Sequence, residues 1–172
     1  PYFSRQYKTA WGEAINFDGP DSDDVRSYFI QNALHWMNEY HVDAFRLDAI
    51  QGIVDRSARP FLAELAAAVH TRARELGRLV HVIAESDLND ARVVTPEAEG
   101  GLGHDAQWVD DLHNALHALL TGERSGYYAD YGGIAQVKKA YADNFVLDGG
   151  WSHYRRRRYL PLPDLCQMGG SL

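Results

Sequence analysis

Val25, Phe29, Ala33, Trp36, Met37 and Tyr40 recur at three- and four-residue intervals, a period that lays them along one face of an amphipathic helix over residues 23–40. Asp21 or Ser22 stands where that helix would be capped. The next apolar stretch, 42–48, is short and reads as a strand. A second helical period runs from Ala58 to Leu76: Leu62, Leu65, Ala66, Val69 and Ala73 form its face, Pro60 falls in its first turn, and Gly77 stops it. Residues 79–84, LVHVIA, are apolar at nearly every position, which suits a parallel strand buried on both faces. A polar, Gly-rich stretch (87–104) precedes a short strand at 105–108. A third helix is predicted at 109–121, with Leu112, Ala115, Leu116, Leu119 and Leu120 on one face and Gly122 behind it. A weaker helix is predicted at 131–142. Residues 1–22 show no sustained period, hold Gly12, Gly19 and Pro20, and read as a long loop, a kind of segment that is often functional. From Asp143 onward the pattern fades and no element is predicted.

Helices alternating with short apolar strands predict an α/β fold with parallel strands. The organisation expected is an α/β body over 1–142 and an irregular segment over 143–172.

Composition narrows the partners. The chain has 172 residues and a formal net charge of −7, which argues against nucleic acid as a partner. No apolar run approaches the roughly 18 residues of a membrane span, so no membrane partner is expected, and no signal peptide is visible. The single cysteine, Cys166, excludes an internal disulfide and fits a reducing, cytoplasmic compartment. Trp11, Trp108, Tyr127 and Tyr128 fall in loops or at element ends, where flat rings can stack on the apolar faces of pyranoses; the alternative for each is ordinary core or surface. The run Arg155–Arg158 has the composition of a basic binding patch, but with this net charge it reads rather as a solvated loop.

The chemistry lies at the strand ends. In HVDAFRLDAI, residues 41–50, Arg46 and Asp48 are two positions apart and share one face of the strand. A guanidinium beside a carboxylate favours its ionised form, and an ionised Asp at the C-terminal end of a parallel strand is a candidate nucleophile. The next strand ends in Glu85, where an apolar run ahead of it suits the carboxyl to general-acid work. Thirty-seven positions separate Asp48 from Glu85, about one βα unit of a (β/α)8 barrel. Two such carboxylates facing one cleft, about 5–5.5 Å apart, are what retaining glycoside hydrolysis needs. Spacing alone leaves open a structural Arg46–Asp48 ion pair with a solvated Glu85. His113 and His117 have the i, i+4 spacing of a zinc helix, yet Asn114 stands where the general-base Glu of that motif belongs; no metal is expected.

Four ordered stretches carry a resemblance: PYFSRQYKTAWGEAINFDGP at 1–20, NALHWMNEYHVDAFRLDAI at 32–50, HVIAESDLND at 81–90 and DAQWVDDLHNALHALLTGERSGYYADYG at 105–132. Together they resemble the α-amylase family of glycoside hydrolases, in particular the branch that releases trehalose. The resemblance implies a partial TIM barrel, roughly strands four to six of eight with their helices. It implies Asp48 as nucleophile, Glu85 as acid/base and Arg46 as the group that holds the nucleophile ionised. Trp11, Asn16, Gln51, Trp108, Asp110, Asp111 and His113 would contact substrate. The implied reaction is hydrolysis of the α-1,4 bond beside the terminal trehalose of maltooligosyltrehalose, with retention and without a cofactor. Gln51 stands where the family motif usually has His, and Asn114 replaces the second His of its segment. The family's early Asn-His motif and its late NHD motif, which holds a third carboxylate, are not found. A complete barrel needs about 200 to 250 residues or more, so the chain is expected to be a fragment that folds weakly or associates and has little or no activity. The alternatives are a related α-glucan enzyme, such as a branching enzyme or α-amylase, and a non-catalytic carbohydrate-binding remnant.

Overall fold

Residues 2–159 are described by a computed structural model, which divides into two compact units: 2–85 with 92–108, and 86–91 with 109–159. In the first unit, α1 (Ser22–Glu39) buries Val25, Ala33 and Met37 of its expected face together with Ile30, while Trp36 and Tyr40 remain exposed. Asp21 occupies the cap position, but in a left-handed conformation (φ 61°) and without a side-chain cap bond. Capping by Asp21 or Ser22 is therefore corrected: the turn is held instead by Asn16, described below. After β3 (Ala44–Leu47), α2 (Phe61–Leu76) begins one residue beyond Pro60, whose carbonyl accepts the N–H groups of Ala63 and Glu64 at 3.0 and 3.1 Å. Gly77 ends the helix at φ 63°, and the Arg78 N–H reaches back to the Ala73 carbonyl at 2.9 Å, a glycine C-cap of the Schellman type.

That closing turn delays the next strand. β4 is His81–Ser86, two residues later than expected, because Arg78 still serves the helix end. Arg78 also donates to the Met37 and Val42 carbonyls at 2.9 and 3.3 Å, tying the end of α1 to the approach to β3. The β3 and β4 strands are parallel, with Ala44 opposite His81, Arg46 opposite Ile83 and Leu47 opposite Ala84, and α2 is their crossover. With β5 (Ala106–Val109) they form an open three-stranded sheet in the order β3-β4-β5.

One face of this sheet is closed by the helices. Val82 packs with Val25, Ile30, Met37, Phe61, Leu65 and Val69, and Ala84 with Ile50, Leu62 and Val93. His81 is exposed and Ile83 and Glu85 are only half-buried. Burial of β4 on both faces is thus corrected to burial on one; the other face carries the charged groups.

The long loop expected over 1–22 contains an antiparallel hairpin of β1 (Phe3–Thr9) and β2 (Gly12–Ile15), with an irregular register between Phe3 and Lys8. Only Ser4 and Ala14 within it are buried, so hydrophobic alternation does not report it.

In the second unit, α3 (Asp110–Thr121) buries Asp111, Asn114, Ala115 and Ala118, while Leu116 and Leu120 of the expected face are exposed. α4 (Ile134–Asp143) starts three residues late, where the Gln136 side chain turns back to accept the N–H groups of Gly132 and Gly133 at 2.7 and 3.0 Å. The region past 143 is not featureless. β6 (Trp151–Ser152) and β7 (Arg157–Arg158) pair antiparallel, and Val146, Leu147 and Tyr159 pack with Ala115, Ala118, Tyr131, Val137 and Ala140. Arg155 bonds Asp87, and Arg157 lies over the Tyr159 ring; Arg156, Arg157 and Arg158 are exposed, as a solvated segment requires, but Arg157–Arg158 are strand and Arg155 is partly buried. Cys166 lies outside the described residues. No helix among the described residues is long and apolar enough to cross a membrane.

Candidate active site

Parallel pairing of β3 with β4 fixes which side chains meet. With Leu47 opposite Ala84, the next residues along each strand, Asp48 and Glu85, leave the sheet at the same C-terminal end. Arg46 lies one step earlier on the same face as Asp48. Its Nη1 donates to Asp48 Oδ1 at 2.6 Å, and its Nη2 lies 3.8 Å from Glu85 Oε2. The carboxylates sit in different surroundings: the Asp48 side chain is 78% exposed and that of Glu85 16%. Glu85 is therefore not the solvated group of the structural alternative, although the Arg46–Asp48 ion pair is present.

The chain turns sharply after Asp48. Ala49 is left-handed (φ 44°, ψ 53°), a conformation that costs an L-residue roughly 1–2 kcal/mol. It aims the Ala49 N–H at Glu85 Oε2, 2.5 Å away. Sequence reasoning missed this contact, since an alanine carries no signal for a left-handed turn. The Trp108 ring on β5 faces the site too, with the Arg46 guanidinium carbon 5.3 Å from its centroid.

Trp11 stands at the tip of the β1–β2 hairpin and is largely exposed. It lies against the turn that follows Ala49: a Cβ added at Gly52 would be 3.1 Å from Trp11 Cζ3, so the ring packs closely over Gly52. Gln51, in the same turn, has a buried Oε1 that accepts no hydrogen bond among the described residues. The structure thus brings Trp11 and Gln51 together beyond the β3 end. Asn16 is buried elsewhere. Its Oδ1 accepts the Gly19 N–H and its Nδ2 donates to the Pro20 carbonyl, both at 2.9 Å, bracing the turn before α1. Asp55, also missed, anchors the segment after the site. It accepts from Ser57, from Arg26 and from the Phe61 N–H at the start of α2. Burial opposes its ionisation, but these donors prevail and hold its carboxyl below the usual range.

A cavity of about 270 Å³ lies beside β3, lined chiefly by Phe17, Phe29, Trp36, Phe45, Leu47 and Ile53, with Arg46 and Asp48 at its border. So apolar a lining lacks the convergent polar groups that a sugar requires; the charged strand ends, not this cavity, are the candidate site.

The remaining expected residues belong to the second unit. Asp111 is 2% exposed and accepts four hydrogen bonds, from Asn89, Tyr131 and the N–H groups of Val146 and Leu147. Burial, together with Asp111, pushes the Tyr131 hydroxyl pKa up. His113 is exposed, with Nε2 3.8 Å from Asp110 Oδ1. His117 is bonded to Glu123 at 2.9 Å and stacked on Tyr128, ring centroids 4.1 Å apart. Among the described residues no group of three His, Cys, Asp or Glu side chains is placed to hold a metal.

No family model matches the chain. Over 159 residues it is 50% identical to the malto-oligosyltrehalose trehalohydrolase of Saccharolobus solfataricus, a match covering 92% of this chain and 27% of that protein. Over this stretch the sequence is similar to the malto-oligosyltrehalose trehalohydrolases. The trehalohydrolase of Arthrobacter ramosus is 47% identical over 167 residues, 96% of this chain and 29% of that protein. The chain therefore spans less than a third of the trehalohydrolases it matches. The fold agrees with a crystal structure of a Salmonella typhimurium protein provisionally named an alpha amylase. The TM-score is 0.77 at 34% identity, over 93% of this chain and 27% of that one.

Proposed function

We propose that this chain carries part of the catalytic centre of a retaining glycoside hydrolase that cleaves the α-1,4 bond next to the terminal trehalose of maltooligosyltrehalose, releasing trehalose in the cytoplasm. On this reading β3, β4 and β5 are strands four to six of a (β/α)8 barrel. The observation that supports it is Arg46 bonded to an open Asp48 at one strand end and set beside a sheltered Glu85 at the next. The relatives' own name supplies the substrate.

Asp48 attacks the anomeric carbon and forms the glycosyl–enzyme ester as Glu85 protonates the departing glycosidic oxygen. Glu85 then takes a proton from water, which opens the ester with net retention. The Ala49 N–H needs Glu85 Oε2 as its acceptor, so Oε1 carries the transferable proton. Arg46 orients Asp48 and offsets charge while both carboxylates are ionised. No cofactor enters. Trp11 and Gln51 line the sugar path in the first unit, where Trp108 stands against Arg46; Asp110, Asp111 and His113, in the second unit, are sugar contacts on the resemblance alone, and the burial of Asp111 and Asn16 makes those two structural supports.

The test is release of trehalose from maltooligosyltrehalose by the purified chain, beside Glu85→Gln and Asp48→Asn. The same pair is read in the Saccharolobus protein with its matching segment replaced by this chain. Trehalose formed by the unsubstituted proteins and reduced at least about 100-fold in the variants supports the reading. Short maltooligosaccharides point to an amylase, transferred branches to a branching enzyme, and sugar binding without turnover in both formats to a binding module.

A further inference from the structure

We infer that Trp108 is a positioning residue: its indole holds the Arg46 guanidinium in its bridge between Asp48 and Glu85. The motif resemblance makes Trp108 a sugar contact, but the structure sets a cation over its ring. The Arg46 Cζ to centroid distance of 5.3 Å lies inside the roughly 6 Å over which an aromatic face attracts a cation. The two ends of the guanidinium reach different carboxylates, Asp48 at 2.6 Å and Glu85 at 3.8 Å. The carboxylates alone do not fix that pose. The Arg46 side chain is 44% exposed and the Asp48 side chain is more exposed still, so in water this pair has other rotamers open to it. The Trp108 side is anchored through its backbone, the residue itself being 54% exposed. Trp108 sits on β5, which is bound to β4 in the sheet and preceded by the Asp105 N–H to Val82 carbonyl bond at 2.9 Å. A planar guanidinium can lie flat on that ring and still direct both ends outward, which an ammonium cannot do. The third strand thereby serves a site whose carboxylates stand on the first two. The catalytic consequence rests on the glycosidase reading; the placement of Arg46 does not.

The full 172-residue chain is labelled with 15N-arginine, and the Arg46 Nε–H resonance is assigned by its loss in Arg46→Lys. In the unsubstituted chain it is expected to be displaced by the indole ring current and protected from exchange. In Trp108→Ala it should move to the position of the exposed arginines, and Trp108→Phe should keep most of the displacement. A resonance unchanged in Trp108→Ala overturns the inference. Kinetics on maltooligosyltrehalose separate the two roles of the ring. Positioning predicts a kcat about two- to fivefold lower in Trp108→Ala, the factor an exposed cation–π contact supplies, at unchanged KM. A raised KM at unchanged kcat makes the ring a sugar platform and overturns the inference. Absence of turnover in the Saccharolobus protein carrying this segment counts against the glycosidase reading alone, and the arginine resonance still decides where Arg46 is held.

Discussion

Removing the Asp111 carboxylate separates a structural role from a sugar-contacting one. Its Oδ2 accepts from Asn89 Nδ2 at 2.9 Å and from the Val146 and Leu147 N–H groups at 2.6 and 2.8 Å, and its Oδ1 accepts the Tyr131 hydroxyl at 2.5 Å. In Asp111→Ala the Tyr131 hydroxyl can rotate, and Asn89 keeps its bond to the Leu147 carbonyl. The two backbone N–H groups cannot move away. Each buried donor left without an acceptor costs about 1–3 kcal/mol, so the alanine variant should lose about 4 kcal/mol, near the figure for breaking a buried charged pair. Asp111→Asn keeps an oxygen toward the three N–H donors and presents its amino group to the Tyr131 oxygen, which accepts once its hydrogen rotates. Only charge assistance is lost, about 1 kcal/mol. Urea unfolding followed by far-ultraviolet circular dichroism reads both values, provided the denaturant slope stays constant. Equal losses below about 1 kcal/mol in the two variants would refute this argument and return Asp111 to the sugar path.

The Asp55 carboxyl is held below its usual value by Ser57, Phe61 and Arg26 against the cost of burial. The linked stability is therefore present above the unfolded-state value of about 3.9 and lost as pH falls through the lower folded value. Urea midpoints should hold steady from pH 5 to 7 and drop below about pH 4, with a shallower drop in Asp55→Asn; equal slopes would argue against the linkage. Gly77→Ala, at φ 63°, should cost about 1 kcal/mol by the same assay; a stabilised variant would mean the helix ends elsewhere. Leu79 (81% exposed), Leu120 and Ile134 are open, and among the described residues no strand pairs with the outer edges of β3 and β5. Sedimentation velocity at tens of micromolar should show species heavier than one chain; a single monomeric boundary would count against association.

Strand periodicity made the core of the site legible. Alternation alone puts Arg46 beside Asp48, and the distance between apolar runs anticipates Glu85 on the neighbouring strand. What escaped was set by backbone conformation or by contacts distant in sequence. Ala49 gives no hint that its N–H serves Glu85, and nothing local joins Trp11 to Gly52. The β1–β2 hairpin was hidden because so few of its side chains are buried. On α3 the leucine stripe was partly right: Ala115, Leu112 and Leu119 pack inward, but Leu116 and Leu120 are exposed, and Asp111, Asn114 and Ala118 complete the inward row, the Asp111 carboxylate drawn in by four donors. Asp111 sits inside a motif that reads as rim chemistry, and only its buried partners reveal its structural role.

The left-handed turn at Ala49 has a bearing on how this centre can change over time. Tolerance at position 49 is set by dihedral angles, independently of what its side chain touches. Glycine, asparagine and aspartate can occupy φ 44° at little penalty, whereas valine or isoleucine would push the backbone out of that basin. Such a shift would swing the N–H off Glu85 without altering either carboxylate. Mutational drift here is thus confined to a few residue types, and a single methyl branch placed beside Asp48 can remove a hydrogen bond from Glu85 on another strand.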